Sequence, residues 1–144
     1  MNFRFGSYGV VKEKEHQMGG TEKGWKIYEE TSTGLEPIMN LTNSEIKEVV
    51  LSAYFVRTYC MYKGFKLFVS QTSMLKEQKK VRLNLNNLDF AAYDYFGFPY
   101  RKDDASIVIN ENELEEIWEE RERLARFPFK VEKIKYIKKE GDFL

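Results

Sequence analysis

A chain with one histidine and one cysteine has few ways to make or break bonds. His16 lies in HQMGGTEKG, a polar, glycine-rich stretch in which no serine or cysteine stands ready to be activated, and it reads as an exposed turn residue rather than a general base. Cys60 falls on an apolar stripe, where a thiol packs as a small hydrophobe; a reactive thiolate needs an accessible, electropositive setting. GGTEKGWK (Gly19–Lys26) places two glycines at phosphate-loop separation. Trp25 then stands where that loop needs lysine, and Lys26 where a serine or threonine would hold magnesium, so the glycines read as a flexible hairpin loop. Asp103 and Asp104 are adjacent and would face opposite ways on a strand, while Glu45 with Lys47 and Glu132 with Lys133 form too common a pattern to mark a metal-dependent nuclease. No catalytic residue, metal ligand or cofactor site is expected, and the chain reads as non-enzymatic.

Binding offers more. KGFKLFV (Lys63–Val69) is similar in outline to the RNA-recognition-motif signature of basic residue, glycine, aromatic and small residue. Lys66 occupies the small position, however, and the segment follows the first expected helix instead of forming the third strand, so an ordinary strand after a glycine stop accounts for it. Lys76, Lys79, Lys80 and Arg82, and Lys130, Lys133, Lys135, Lys138 and Lys139, could track a phosphate backbone while rings stack bases. Lys plus Arg and Asp plus Glu each total 23, so no net charge draws a polyanion from a distance. The lysines of the last strand also suit a protected sheet edge. A nucleic-acid module is therefore the alternative, and a protein partner the leading expectation.

The segment FAAYDYFGFPYRK (Phe90–Lys102) carries that expectation. Gly97 and Pro99 interrupt it, and its rings keep no two-residue alternation, so it reads as a compact loop. Phe90 and Tyr93 are expected inward; Phe96, Phe98 and Tyr100, with Arg101 and Lys102 beside them, form the expected grip. A second alternative is a small-ligand or nucleotide pocket lined by Tyr93, Tyr95 and Arg101.

These groups need elements to hold them. A chain of 144 residues, 42% hydrophobic, 32% charged and 15% aromatic, is expected to form a single domain. MNFRFGSYGVVKEKE lacks the pattern of a secretory leader, no apolar run approaches membrane-spanning length, and a lone cysteine gives no support to an oxidising compartment; a cytoplasmic protein is expected. Phe3–Val11 and Trp25–Glu30 are expected to pair as a hairpin. Thr42 and Glu45 have capping-box spacing ahead of a helix over Asn43–Lys63, in which Ile46, Val49, Val50, Ala53 and Cys60 share one side. Leu51, Phe55, Tyr59 and Tyr62 fall on the other side and offer a partner or homodimer surface, with Arg57 reaching to the rim. Strands follow at Phe65–Val69, Val81–Leu85 and Ser106–Ile109. Asn110–Phe127 reads as a second helix, capped by Asn110 and Glu113 and laced by Glu119–Arg123 and Glu122–Arg126 pairs. A last strand over Phe129–Lys139 has a break in its alternation between Val131 and Ile134 that suggests a bulge. Strand, helix, strand, strand, helix, strand is a ferredoxin-like (split βαβ) α+β arrangement, here with an additional N-terminal strand and an aromatic insertion. Size, composition and the surplus of rings suit a small inhibitor or accessory protein of a phage or mobile element.

Overall fold

The computed structural model describes residues 3–129 and 131–144. Among these residues eleven strands alternate with three short helices and one 3-10 turn, and the strand pairings are antiparallel. The expected two-helix ferredoxin-like arrangement is therefore replaced by a mostly antiparallel sheet protein. The chain forms two compact units, one of Gly6–Val56 and Arg121–Lys133, the other of Met1–Phe5, Arg57–Glu120 and Ile134–Leu144.

The first unit is a meander of β1 (Gly6–Val11), β2 (Lys14–Gly20), β3 (Gly24–Thr31) and β4 (Gly34–Thr42), in which each strand pairs with the next. β1 also pairs with the first half of β5 (Val50–Tyr62), from Gly6 opposite Val56 to Val11 opposite Val50. The stretch expected as a turn is thus β2, which lies between the two strands expected to pair. His16 is buried within it, and Met18 follows two residues on, also buried. Short polar and glycine positions around this pair hide the alternation. The glycines serve close packing instead: a side chain at Gly9 would collide with Met18, and one at Gly24 would lie 1.9 Å from the Leu41 carbonyl oxygen. Val11, Met18, Ile27, Ile46, Val50, Ala53 and Phe127 form the core of this unit.

In the second unit the later half of β5 pairs with β6 (Phe65–Ser70), then β7 (Lys80–Asn84) and β8 (Ser106–Asn110), close to the expected strand bounds. β9 (Glu116–Arg123) neighbours β5 and is followed in the sheet by β10 (Ile134–Lys139) and β11 (Asp142–Phe143). The β10 register shifts between Tyr136 and Lys138, beyond the expected bulge position. One sheet face packs Cys60, Leu67, Val69, Val81, Leu83 and Ile117 against Ala92 and Tyr93 of α3 (Phe90–Phe96). The aromatic segment is therefore not a loop at its start: Asp89 accepts the Ala92 N–H at 3.1 Å, and Gly97, at φ 78°, ends the helix.

Both long helices are overturned. The Thr42–Glu45 box forms, each residue bonding the other's backbone N–H, yet it opens only the four-residue α1 (Ile46–Val49) before the chain turns into the thirteen-residue β5. Val50, Ser52, Tyr54, Val56, Thr58 and Cys60 are enclosed on alternate positions, with Ala53 buried as well next to the register shift opposite Val10 and Val11, so the underlying period is two. Nonlocal pairing suits this run of branched and aromatic residues better than a helix does. Gly64 accordingly ends no helix; Lys63 and Gly64, at φ 54° and 84°, make the two-residue β5–β6 turn. Downstream, Glu113 accepts the Asn110 N–H at 2.9 Å, but this cap opens the 3-10 turn Glu111–Glu113 and then β9. Residues four apart on a strand lie too far apart to pair, which removes the expected Glu119–Arg123 helix contact, and Arg126, expected to pair with Glu122, lies beyond the end of β9 in a turn at φ 72°. Glu119 instead takes two hydrogen bonds from Arg4, at 2.8 and 3.0 Å.

Candidate docking surface on the second unit

The sheet face opposite α3 carries a row of rings. Tyr59 on β5 and Phe68 on β6 are cross-strand partners with centroids 5.9 Å apart, as are Trp118 on β9 and Tyr136 on β10 at the same separation. Tyr59 and Trp118 stack at 6.4 Å and join the two pairs, and Phe5 extends the row by standing edge-on to Phe68 at 5.5 Å. Phe5 is 59% exposed, Tyr59, Phe68 and Tyr136 are half-buried, and Trp118 at the centre is nearly enclosed. Strand alternation produces the row. On β5, β6 and β9 the residues neighbouring these rings, Cys60, Leu67 and Ile117, point into the core.

The row holds its charges in balance. Lys66 Nζ lies 2.6 Å from Glu120 Oε2 and 4.4 Å from the centre of the Tyr59 ring, and the Trp118 Nε1–H donates to the same Glu120 oxygen at 2.9 Å. Burial pushes the Glu120 carboxyl upward, but the Lys66 and Trp118 hydrogen bonds and the positive charges of Lys66 and Arg57 outweigh it, so its net displacement is downward. Arg57 thus sits in the field of a carboxylate. Further along the face, Arg82 donates to the Ser106 hydroxyl at 3.1 Å and Asn84 to the Ser70 hydroxyl at 2.9 Å.

Of the residues expected to meet a partner, Tyr59 belongs to this row. Tyr62 lies on the α3 side, stacked on Phe96 at 6.2 Å, and Phe65 packs on both Phe96 and Tyr95. Phe98 is half-buried and edge-on to Tyr93. Tyr100 is exposed, rests on Phe90 at 5.0 Å and donates to Asp94 at 2.6 Å, a bond that raises its phenol. Phe90, expected inward, is exposed at the first position of α3, with its ring against Tyr100. Arg101 and Lys102 are exposed beside them. Leu51 and Phe55 lie on the half of β5 that belongs to the first unit, where Leu51 is exposed and Phe55 half-buried.

The other expected sets disperse. Tyr93 is enclosed with its hydroxyl donated to the Lys102 carbonyl at 2.8 Å, while Tyr95 and Arg101 are open to solvent. Lys76 is on α2 (Ser73–Glu77), Lys79 and Lys80 follow it, Arg82 is on the open face, and Lys133 and Lys135 fall in different units. Lys130 lies outside the described residues. Burial raises the Cys60 thiol to about 12, against a weaker opposing hydrogen bond from Leu67, and His16 Nδ1 lies 3.1 Å from the Tyr28 carbonyl oxygen. Among the described residues no group of three or more His, Cys, Asp or Glu side chains could hold a metal ion, and no helix is long and apolar enough to cross a membrane. Sequence reading missed Phe5, Phe68, Trp118 and Tyr136 as a set. Two-residue alternation signals such faces, but Trp118 falls within the span Asn110–Phe127 that reads as a helix from sequence. No protein-family model matches the chain, and none of the curated proteins or solved structures matches it.

Proposed function

We propose that this is a non-enzymatic protein that binds a macromolecular partner, itself a protein, through the ring row of the second unit. The single observation that carries the reading is the run from Phe5 through Phe68, Tyr59 and Trp118 to Tyr136, five rings in contact across one open sheet face. Large, rigid rings surrounded by polar side chains are what the buried centre of a protein interface uses. The charges favour a protein over a nucleic acid. Lys66 is neutralised by Glu120 in the middle of the row, so a phosphate backbone would have to displace that carboxylate. The enclosed thiol of Cys60 and the carbonyl-bound His16 support a binding role over bond chemistry.

The test is a capture experiment from host lysate with the wild-type chain and a Phe5→Ala, Tyr136→Ala double variant, each with and without nuclease. The expected result is a stoichiometric protein retained by the wild type after nuclease treatment and lost with the double variant. Capture that nuclease abolishes would assign the face to nucleic acid; capture indifferent to the double variant would remove the face from the binding site.

A further inference from the structure

Where β7 starts, β8 ends and β10 meets β11, the second unit holds a cavity of about 240 Å³ walled by Lys79, Asn110, Glu111, Asn112, Lys138 and Phe143. Lys138 is its distinctive member. It is only 5% exposed, yet among the described residues its ammonium makes no hydrogen bond or ion pair. Its one contact of this kind is the ring of Phe143, its directly opposed residue on β11, with Nζ 4.8 Å from the centroid. The stem of Lys138 is enclosed while its Nζ stays open to solvent in the cavity, where no acceptor among the described residues meets it. One oxygen of the Glu111 carboxylate, on the same cavity wall, accepts from Gln71 Nε2 at 3.4 Å. The Glu111 N–H donates to the Lys79 carbonyl at 2.9 Å and ties two walls together, so the cavity is framed by backbone hydrogen bonding as well as by side chains.

We propose that this cavity binds a small organic carboxylate, with the anion on Lys138, the carboxamides of Asn110 and Asn112 within the same walls, and the apolar body of the ligand laid along Phe143. Charge selects the class. Two lysines against one glutamate leave a single positive charge, which one carboxylate neutralises, whereas a dianionic phosphate would leave an excess of negative charge beside Glu111. The site stands apart from the ring row and does not depend on it.

The test is a set of parallel amide NMR titrations of the full chain with benzoate, benzamide and inorganic phosphate. Benzoate is expected to give saturable shifts centred on Lys138, Phe143 and Asn110–Asn112, with benzamide and phosphate giving none there. Lys138→Met, which keeps the buried stem, and Phe143→Ala, at a half-exposed position, are each expected to weaken benzoate by roughly tenfold or more, the worth of a charge-assisted bond or an aromatic contact. Equal shifts from benzamide, preference for phosphate, no benzoate shifts at millimolar concentration, or benzoate binding unchanged by Phe143→Ala would each overturn the proposal. The last readout stands even if Lys138→Met fails to fold.

Discussion

Replacing Arg4 with methionine tests the tertiary structure at the point where it departs furthest from the local pattern. Arg4 Nε and Nη2 hold the two oxygens of Glu119 at 2.8 and 3.0 Å, a bidentate pair between residues 115 apart in sequence. The side chains are 20% and 7% exposed, and the Arg4 carbonyl also accepts the Thr58 hydroxyl at 2.9 Å, so this segment is bound to both β9 and β5. Removing one partner of a buried pair costs about 3–5 kcal/mol. The partial exposure of Arg4 places the loss at the lower end, about 3 kcal/mol, or roughly a 10 °C fall in the thermal midpoint for a chain of this size. Urea and thermal unfolding of Arg4→Met should show that loss, while Arg123→Met, which would break the pair expected of a helix, should stay within about 0.5 kcal/mol because Arg123 is exposed. The Arg4→Met, Glu119→Met double variant should recover part of the stability, since it removes both charges from the interior. A loss below about 1 kcal/mol for Arg4→Met, or an equal loss for Arg123→Met, would refute the pairing.

Three further outcomes follow from single contacts. The Cys60 thiol is raised from 9.0 to about 12, so between those pH values the unfolded chain releases a proton that the folded chain keeps. Its contribution therefore falls as pH rises, by at most about 1.4 kcal/mol per unit, and the stability of wild type relative to Cys60→Ala should drop between pH of about 8 and about 10 in urea unfolding. Gly24→Ala would set a methyl group 1.9 Å from the Leu41 carbonyl oxygen, whereas Gly20→Ala meets only the Trp25 ring at 3.9 Å. The first should cost about 2 kcal/mol or more and the second little beyond ordinary surface change, read from denaturation midpoints. Asp89→Ala removes the α3 cap and should cost about 1 kcal/mol, with faster amide exchange at Ala92 as its local sign.

Local chemistry was legible from sequence, and pairing was not. The strands at Phe65–Ser70, Lys80–Asn84 and Ser106–Asn110 follow from short alternating runs, and both capping boxes, Thr42 with Glu45 and Asn110 with Glu113, form hydrogen bonds as their spacing implies. A cap sets where a turn of helix begins but not how far it continues. In β5 the enclosed side carries Ser52 and Thr58 while Leu51, Phe55 and Tyr59 lie on the other, so hydrophobicity does not reveal the two-residue period. Thr58 is tolerated inside because the Arg4 carbonyl accepts its hydroxyl. In β9 the buried Glu119 gives the sequence a charged, helix-like pattern, and the distant Arg4 holds its carboxylate there. The ring row has the same origin. Composition determined that this chain would carry more rings than most, but the neighbours of Tyr59, Phe68 and Trp118 were chosen by strand register, a relation between residues far apart that no local periodicity encodes.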